Sequence, residues 1–463
     1  MKKTTKRIAA CLALTLTATC LFGCGGNETA KNTNTSGDVS TITFWSPSPH
    51  SKALYVKLAN EFNETTGKEL GINFVYEIKE SNIGQAIDLA LAADQAPELF
   101  VGGNVEALAS KGDIMAFEDI KGGQALVDKF KDRLVPFTNT YNGKTYTLPV
   151  ASTISGLIYN KEMFKEAGLV DENGEPTPPE TWEEFREYAK KMTNASERKF
   201  GVVLPIKWSG WATGDILGAG MASLGRQAYD PTTGKFDYTA YKPIIDTYLG
   251  IKEDGSMVPG AENIDNDAAR ARFAEGGIGM KISASYDVAV FNDQFPAKIE
   301  WGIAPLPVLD KDNKYKQSMG LGSSARINAK AVERVGDEKL LAVLNWMYGD
   351  EVLATAFKEG LNIPNDINIV NSTDLSGAKK GWKEFADMIE ISTAAPVEIK
   401  TDTTGLKSFT DIFINEIWNG EKSVDQALSD YTDEMNSRID KYKEINPEYD
   451  PEPFIIKDWN IKR

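Results

Sequence analysis

The chain has 463 residues, a quarter of them charged, and a formal net charge of −16. That length can bury more than one core and allows two or three domains, while the acidic balance argues against nucleic acid or an anionic lipid surface as a partner. One histidine and three cysteines leave little for a Ser-His-Asp or Cys-His centre, or for a His/Cys zinc site. The 67 Asp and Glu residues would allow a two-carboxylate glycosidase, but no pair stands out.

At the amino terminus, Lys2, Lys3, Lys6 and Arg7 precede an apolar stretch at 8–22 interrupted only by threonines and cysteines. It falls short of the roughly 20 apolar residues that cross a bilayer and reads as a secretory signal. The stretch closes on Leu21-Phe22-Gly23-Cys24, which resembles the lipobox of bacterial lipoproteins. That resemblance implies cleavage before Cys24 and lipid on its thiol. Cys11 and Cys20 fall in the discarded piece, so the rest of the chain keeps one thiol and can form no internal disulfide. Residues 25–38 are rich in Gly, Asn, Thr and Ser and cannot bury a core. The expectation is a signal peptide over 1–23 and a flexible tether over 24–39. No later stretch approaches 18 uncharged apolar residues.

The folded part begins at Ser40 with an alternating strand that ends near Trp45 and is stopped by Ser46-Pro47-Ser48-Pro49. Leu54, Leu58, Ala59 and Phe62 share one face of a following helix. A second strand is expected over 71–78, a second helix over 83–93 and a short apolar strand over 98–101. Repetition of this kind implies a parallel sheet covered on both faces. Asn142-Gly143 marks a hairpin turn, and a strand-to-helix unit starts at 157–160. Thr181 with Glu184 three residues on is a capping-box signature for a helix to Met192. A helix over 268–274, ended by Gly276-Gly277, precedes a strand over 278–282. The chain is then mostly helical to about Lys441, with a Pro-rich polar tail from Pro447.

Several segments, taken together, resemble the family of extracellular solute-binding proteins that serve sugar ABC transporters. They are YNGKTYTLPVASTISGLIYNKEMFKEAGL from Tyr141, PPETWEEFREYAKKMT from Pro178, RFAEGGIGMKISASYD from Arg272, WGIAPLPV from Trp301, MGLGSSARINAKA from Met319 and INEIWNGEKSVDQAL from Ile414. They stand in family order and cover most of the chain after residue 40. The resemblance implies an α/β fold of the periplasmic-binding-protein kind: two lobes, a central ligand cleft and hinge crossings. The crossings are expected near 148–152, 299–305 and Gly349. They give a first lobe of 40–150 and 304–349, and a second of 151–303 and 350–463. Leu148-Pro149 and Ala304-Pro305 suit strand-like hinges, because proline keeps the preceding residue extended. The resemblance also implies a carbohydrate ligand, an oligosaccharide by preference, and an ABC permease as partner; since the family includes members with non-sugar ligands, a non-sugar small solute is the alternative. No cofactor, no metal and no catalysis are expected. The protein is expected to be a monomer, lipid-anchored on the outer face of the cytoplasmic membrane of a Gram-positive cell.

A sugar needs aromatic planes against its C–H faces and hydrogen-bonding groups around its rim. Trp45, Ser48 and His50 lie where the family's first ligand loop falls; core packing for Trp45 and an exposed helix position for His50 are the alternatives. Asn104, after Gly102-Gly103, is a ligand contact or a helix cap. Thr153, flanked by Ser152 and Ser155, follows the first crossing, where relatives place a hydrogen-bonding group. Trp208 and Trp211 sit in a polar, Gly-broken stretch, so at least one is expected to stack on ligand. Tyr286 matches the family's aromatic after the Ile278-Gly279-Met280 strand, with Asp287 beside it as a hydroxyl acceptor. One departure stands out: residues 398–403 contain no counterpart to the stacking aromatic that precedes the closing helix in maltose-binding relatives.

Overall fold

The computed structural model describes residues 39–463, except 80, 81, 209 and 323. The expected signal peptide, Cys24 and the tether as far as residue 38 therefore lie outside the described residues. Ser40–Arg463 form one unit.

Alternation at the start of the body gives the strand Ser40–Ser46, which buries Ile42 and Phe44 and turns Thr41 outward. It lies between two parallel neighbours, Ile72–Ile78 and Leu99–Phe100. Arg326–Asn328 and Ile114–Met115 complete a five-stranded sheet and run antiparallel to their neighbours. The helix Lys52–Glu64 lays Ala59 and Phe62 on this sheet, with the Phe62 ring 4.7 Å from that of Trp346. Trp346 itself comes from the helix Asp337–Met347, so sequence-distant segments share the first lobe's core.

The second lobe is built around one long strand, Ala151–Asn160. It pairs antiparallel with Ile278–Ala284, Trp301–Ala304, Gln317–Leu321 and Ile363–Pro364. The parallel sheet expected from strand-helix repetition thus holds for the first three strands of the chain but not here. Local signals were reliable. Thr181 and Glu184 form a reciprocal capping box on Trp182–Met192. Asn142 and Gly143 both take positive φ in the turn between Thr140–Tyr141 and Lys144–Thr145.

The expected crossing at 299–305 is corrected. Trp301–Ala304 pairs with residues 157–160, inside the second sheet, and Gln317–Leu321 stays there as well. Gln317 is fully buried, and its side-chain amide donates to the Ser155 carbonyl at 2.5 Å and accepts from the Leu306 N–H. These bonds hold the intervening segment on the second lobe, so the chain reaches the first sheet only between Leu321 and Arg326. The return passes along the helix Asp350–Lys358, whose Leu353 enters the first lobe's core and Phe357 the second's.

The connecting segments lie side by side. The Leu148 N–H donates to Ser324 Oγ at 2.7 Å, and the Gly322 N–H donates to the Ala151 carbonyl at 2.7 Å. Asn365 is buried between them: its Nδ2 donates to the Pro149 carbonyl at 2.7 Å, and its Oδ1 accepts from Ser152 Oγ at 2.5 Å. Three chain passes are therefore bonded into one hinge.

Candidate functional site

On the first lobe, parallel strands bring their following loops to one edge. Trp45 is half-buried there, leaning on Ile87, Phe100, Leu108 and Ile114, with the Lys79 ammonium 4.6 Å from its ring centroid. The Trp45 carbonyl accepts from the Val101 N–H at 2.9 Å, which sets the Gly102-Gly103-Asn104 loop beside it. Gly103 has φ +77°, and a Cβ there would meet Leu108 Cδ1 at 2.6 Å, so only glycine makes this turn. Asn104 is exposed and caps the helix Val105–Lys111, its Oδ1 accepting from the Ala107 N–H at 2.9 Å. Ser48 is exposed, its N–H donating to Ser46 Oγ. His50 lies on the one-turn helix Pro49–Ser51, and its side chain is outside the described structure.

Sequence reasoning passed over Arg326. Its Nη2 donates to the Gly103 carbonyl at 2.8 Å and its Nη1 to the Ser324 carbonyl at 3.3 Å. Its Nε is buried with no hydrogen-bond partner, and no carboxylate pairs with it among the described residues. Burial holds its pKa below the ordinary guanidinium value. The signal for it was present but weak: an arginine at the start of a strand that the topology places beside the glycine loop.

On the second lobe, Thr153 is half-buried on the central strand opposite Gly320. One residue on, Ile154 exchanges hydrogen bonds with Ser285, its carbonyl accepting at 2.8 Å and its N–H donating to Ser285 Oγ at 3.2 Å. Tyr286 follows Ser285 in the turn that leaves the strand Ile278–Ala284. Its side of the site is open, with 49% of the residue exposed, and the Arg270 guanidinium lies 5.6 Å from its ring centroid. Trp208 is half-buried; a Cβ at Gly210 would come within 2.4 Å of its ring, so the glycine gives that ring its place.

Two of the expected contacts are corrected. Trp211 is 0% exposed and packs edge-on against Phe413 at 4.8 Å, in the lobe's core. Its Nε1 is buried and without a hydrogen-bond partner among the described residues. Asp287 is 1% exposed, and its carboxylate accepts from Arg270 and from Ser283 Oγ. Both oxygens are thus engaged by protein, and the residue positions Arg270 under Tyr286 instead of meeting a ligand hydroxyl.

A buried charged group accompanies this pair. Trp211 leads into the π-helix Ala212–Gly218, a rare winding that is frequent at functional sites. It carries Asp215, which is 2% exposed and has the equally buried Lys281 and Asp287 as electrostatic neighbours. Burial pushes the Asp215 carboxyl up from 3.8 to about 7, against the pull of Lys281 and with a further push from Asp287. Lys281 Nζ donates to the Ile282 carbonyl at 2.7 Å. Among the described residues no group of three or more His, Cys, Asp or Glu could hold a metal ion, and no helix is long and apolar enough to cross a membrane.

Each lobe therefore carries its own set of candidate residues near strand ends, and bonded chain passes join the two. That arrangement defines a two-lobed solute-binding protein. Residues 46–354, more than half of the chain, match the bacterial extracellular solute-binding protein family, and the chain belongs to it. It is 26% identical to a sn-glycerol-3-phosphate-binding periplasmic protein of Salmonella typhimurium over 433 residues, 88% of this chain and 94% of that one. It is 23% identical to a maltotriose-binding protein of Pyrococcus abyssi over 285 residues, 60% of this chain and 56% of that one. The matches with several other curated relatives span less than half of their length. The sugar-binding protein of Xanthomonas citri shares the fold, with a TM-score of 0.67 at 18% identity, over 89% of this chain and all of that one.

Proposed function

We propose that the protein captures an extracellular carbohydrate between its lobes and hands it, chemically unchanged, to the permease of an ABC importer. The observation that carries this reading is that two aromatic planes on the second lobe, Trp208 and Tyr286, stay accessible at the surface. Thr153 is half-buried on the second lobe's central strand, and Ser48 and Asn104 are exposed on the first lobe. Aromatic faces cover the C–H faces of a sugar, and hydroxyl and amide groups serve its rim. Arg270 gives no free charge to the solute, since Asp267 and Asp287 both accept from it. The relative that binds maltotriose supports an oligosaccharide.

Lipid on Cys24 would complete the device. The polar tether would confine a monomeric receptor to the outer membrane surface of a Gram-positive cell, where its permease sits, and so raise their effective concentration. Closure around the solute is then a hinge motion about the bonded passes at Pro149, Gly322 and Asn365. Isothermal titration against a panel of mono- and oligosaccharides is the test. Binding of at least one glycan without turnover is expected; turnover of a glycan with no stable binding would overturn the reading.

Arg326 favours a second reading, an anionic small solute. It brings a cation without a carboxylate partner to the loop of Gly103 and Asn104, and the relative that binds sn-glycerol 3-phosphate points the same way. Including that phosphate and a uronic acid in the panel separates the two readings.

A further inference from the structure

The chain does not end with its long helix Val424–Ile445. Residues 447–463 turn back over the second lobe and are pinned along it. The Phe454 carbonyl accepts from Tyr229 Oη at 2.8 Å, and the Ile456 N–H donates to the Pro231 carbonyl at 2.7 Å. Trp459 Nε1 donates to the Gly225 carbonyl at 2.9 Å, and Ile461 is buried, its carbonyl accepting from the Lys316 N–H. A tail of Pro, Glu and Asp that is bonded at successive points is a built element.

What this tail presents to the first lobe is specific. Phe137 stacks on Phe454 with ring centroids 4.1 Å apart and planes 4° from parallel. Phe137 has φ +62°, a left-handed conformation that is costly for a bulky aromatic. Its loop is fixed to the first lobe from both sides. Asn139 is buried and accepts from the Val135 N–H while donating to Thr147 Oγ1. Glu118 accepts from the Thr145 N–H, and Lys144 pairs with Asp119. The loop is thus held in a strained form that delivers one ring to the other lobe. Next to it, Glu106 on the first lobe's helix Val105–Lys111 pairs with Lys400 at 2.5 Å. The Lys400 N–H donates to Tyr449 Oη at 3.0 Å, which ties this ion pair to the tail as well. Glu106, Phe137, Tyr141, Tyr449 and Phe454 line a cavity of about 600 Å³ along the seam.

We propose that residues 447–463 are a strap that fastens the two lobes, with the Phe137–Phe454 stack as its main clasp and Glu106–Lys400 as a weaker one. The ion pair is partly exposed and screened, so the stack dominates. A strap of this kind biases the lobes toward the arrangement in which both clasps are made before solute arrives, and a solute that needs another arrangement must break them. The inference holds whichever solute the cleft takes.

Electron–electron spin-resonance distances between labels at Leu89→Cys and Glu187→Cys test it. The full chain is used, with Cys11, Cys20 and Cys24 replaced by serine and no solute present. Phe137→Gly and Phe137→Asn both remove the ring with residues suited to positive φ. Each is expected to lengthen the mean interlobe distance and broaden its distribution, and Lys400→Met to do so to a smaller degree. Distance distributions unchanged from the parent in both Phe137 variants would overturn the strap. Because no solute is present, that result would leave the carbohydrate reading untouched.

Discussion

In the first lobe, parallel strands end together and the loops after them carry Trp45, Ser48 and Asn104 to one edge. In the second, antiparallel pairing around Ala151–Asn160 carries Thr153 on the central strand and leaves Tyr286 in the turn after its neighbour Ile278–Ala284. The difference is sharper beneath the surface. The first lobe's candidate residues rest on apolar side chains and two cations, Arg326 and the Lys79 ammonium over Trp45. The second lobe's rest on Asp215, Lys281, Asp287 and Arg270, interleaved and largely removed from water. Burying charge is tolerable only when each group keeps its partners. Substitutions in this buried charged layer are therefore felt by the fold first, and those at the exposed residues above it by the ligand first.

The largest effect expected from this contrast is at Trp211. Trp211→Ala empties a fully buried site against Phe413 and should cost about 3–5 kcal/mol in urea unfolding. Trp208→Ala, three residues away on a half-exposed ring, should cost much less stability. Equal losses would erase the distinction between a core tryptophan and a surface one.

Asp215 should give the next largest effect, and one that depends on pH. The folded chain keeps its proton up to about pH 7, whereas the unfolded chain releases it near the ordinary 3.8. Between those values the folded state binds the extra proton. The stability due to this group is therefore full below about 3.8 and is lost as pH rises through about 7. Asp215→Asn cannot titrate. Its unfolding free energy should fall less steeply between pH 4 and 8, by on the order of a few kcal/mol, and exceed the parent's at the alkaline end. A parallel pair of stability–pH profiles would show that Lys281 keeps Asp215 ionised throughout.

These two residues also mark where the sequence stopped being readable. Local features came through because their causes are local: alternation at Ile42 and Phe44, the Thr181–Glu184 box, and the Asn142-Gly143 turn. The resemblance supplied the two-lobed plan. It could not tell Trp208 from Trp211, because the burying partner, Phe413, lies some two hundred residues further on. Asp287 reads from sequence as a hydroxyl acceptor, but Arg270, on a different element, already donates to it. The second crossing was misplaced for the same reason, since pairing across a sheet, not the proline at 305, decides which lobe a strand joins.

On the ligand side, Trp208→Ala and Tyr286→Ala should each weaken solute binding by about 1 kcal/mol or more, as for a buried aromatic contact, when measured by isothermal titration. The Tyr286 variant carries an added consequence, because its ring covers Arg270. Tyr286→Phe keeps that cover and should retain most of the affinity, while alanine should not. Unchanged affinity in both alanine variants would move the ligand away from the second lobe's aromatics.

The smallest effect, at Asn104, is the most discriminating for the first lobe. Its Oδ1 is occupied by the Ala107 N–H, so the residue already has a structural task, and Asn104→Ala should cost about 1 kcal/mol through the lost cap. Aspartate caps a helix as well as asparagine and adds a favourable charge at the helix start. Asn104→Asp should therefore melt at or above the parent temperature. It replaces the amide NH2, however, with a second acceptor. If that NH2 donates to the solute, affinity falls while stability does not, and this separation of the two quantities is the outcome expected for an exposed cap at the strand-end edge. If affinity and stability both stay at the parent's values, Asn104 is a cap alone, and the polar recognition on this lobe passes to Ser48 and Arg326.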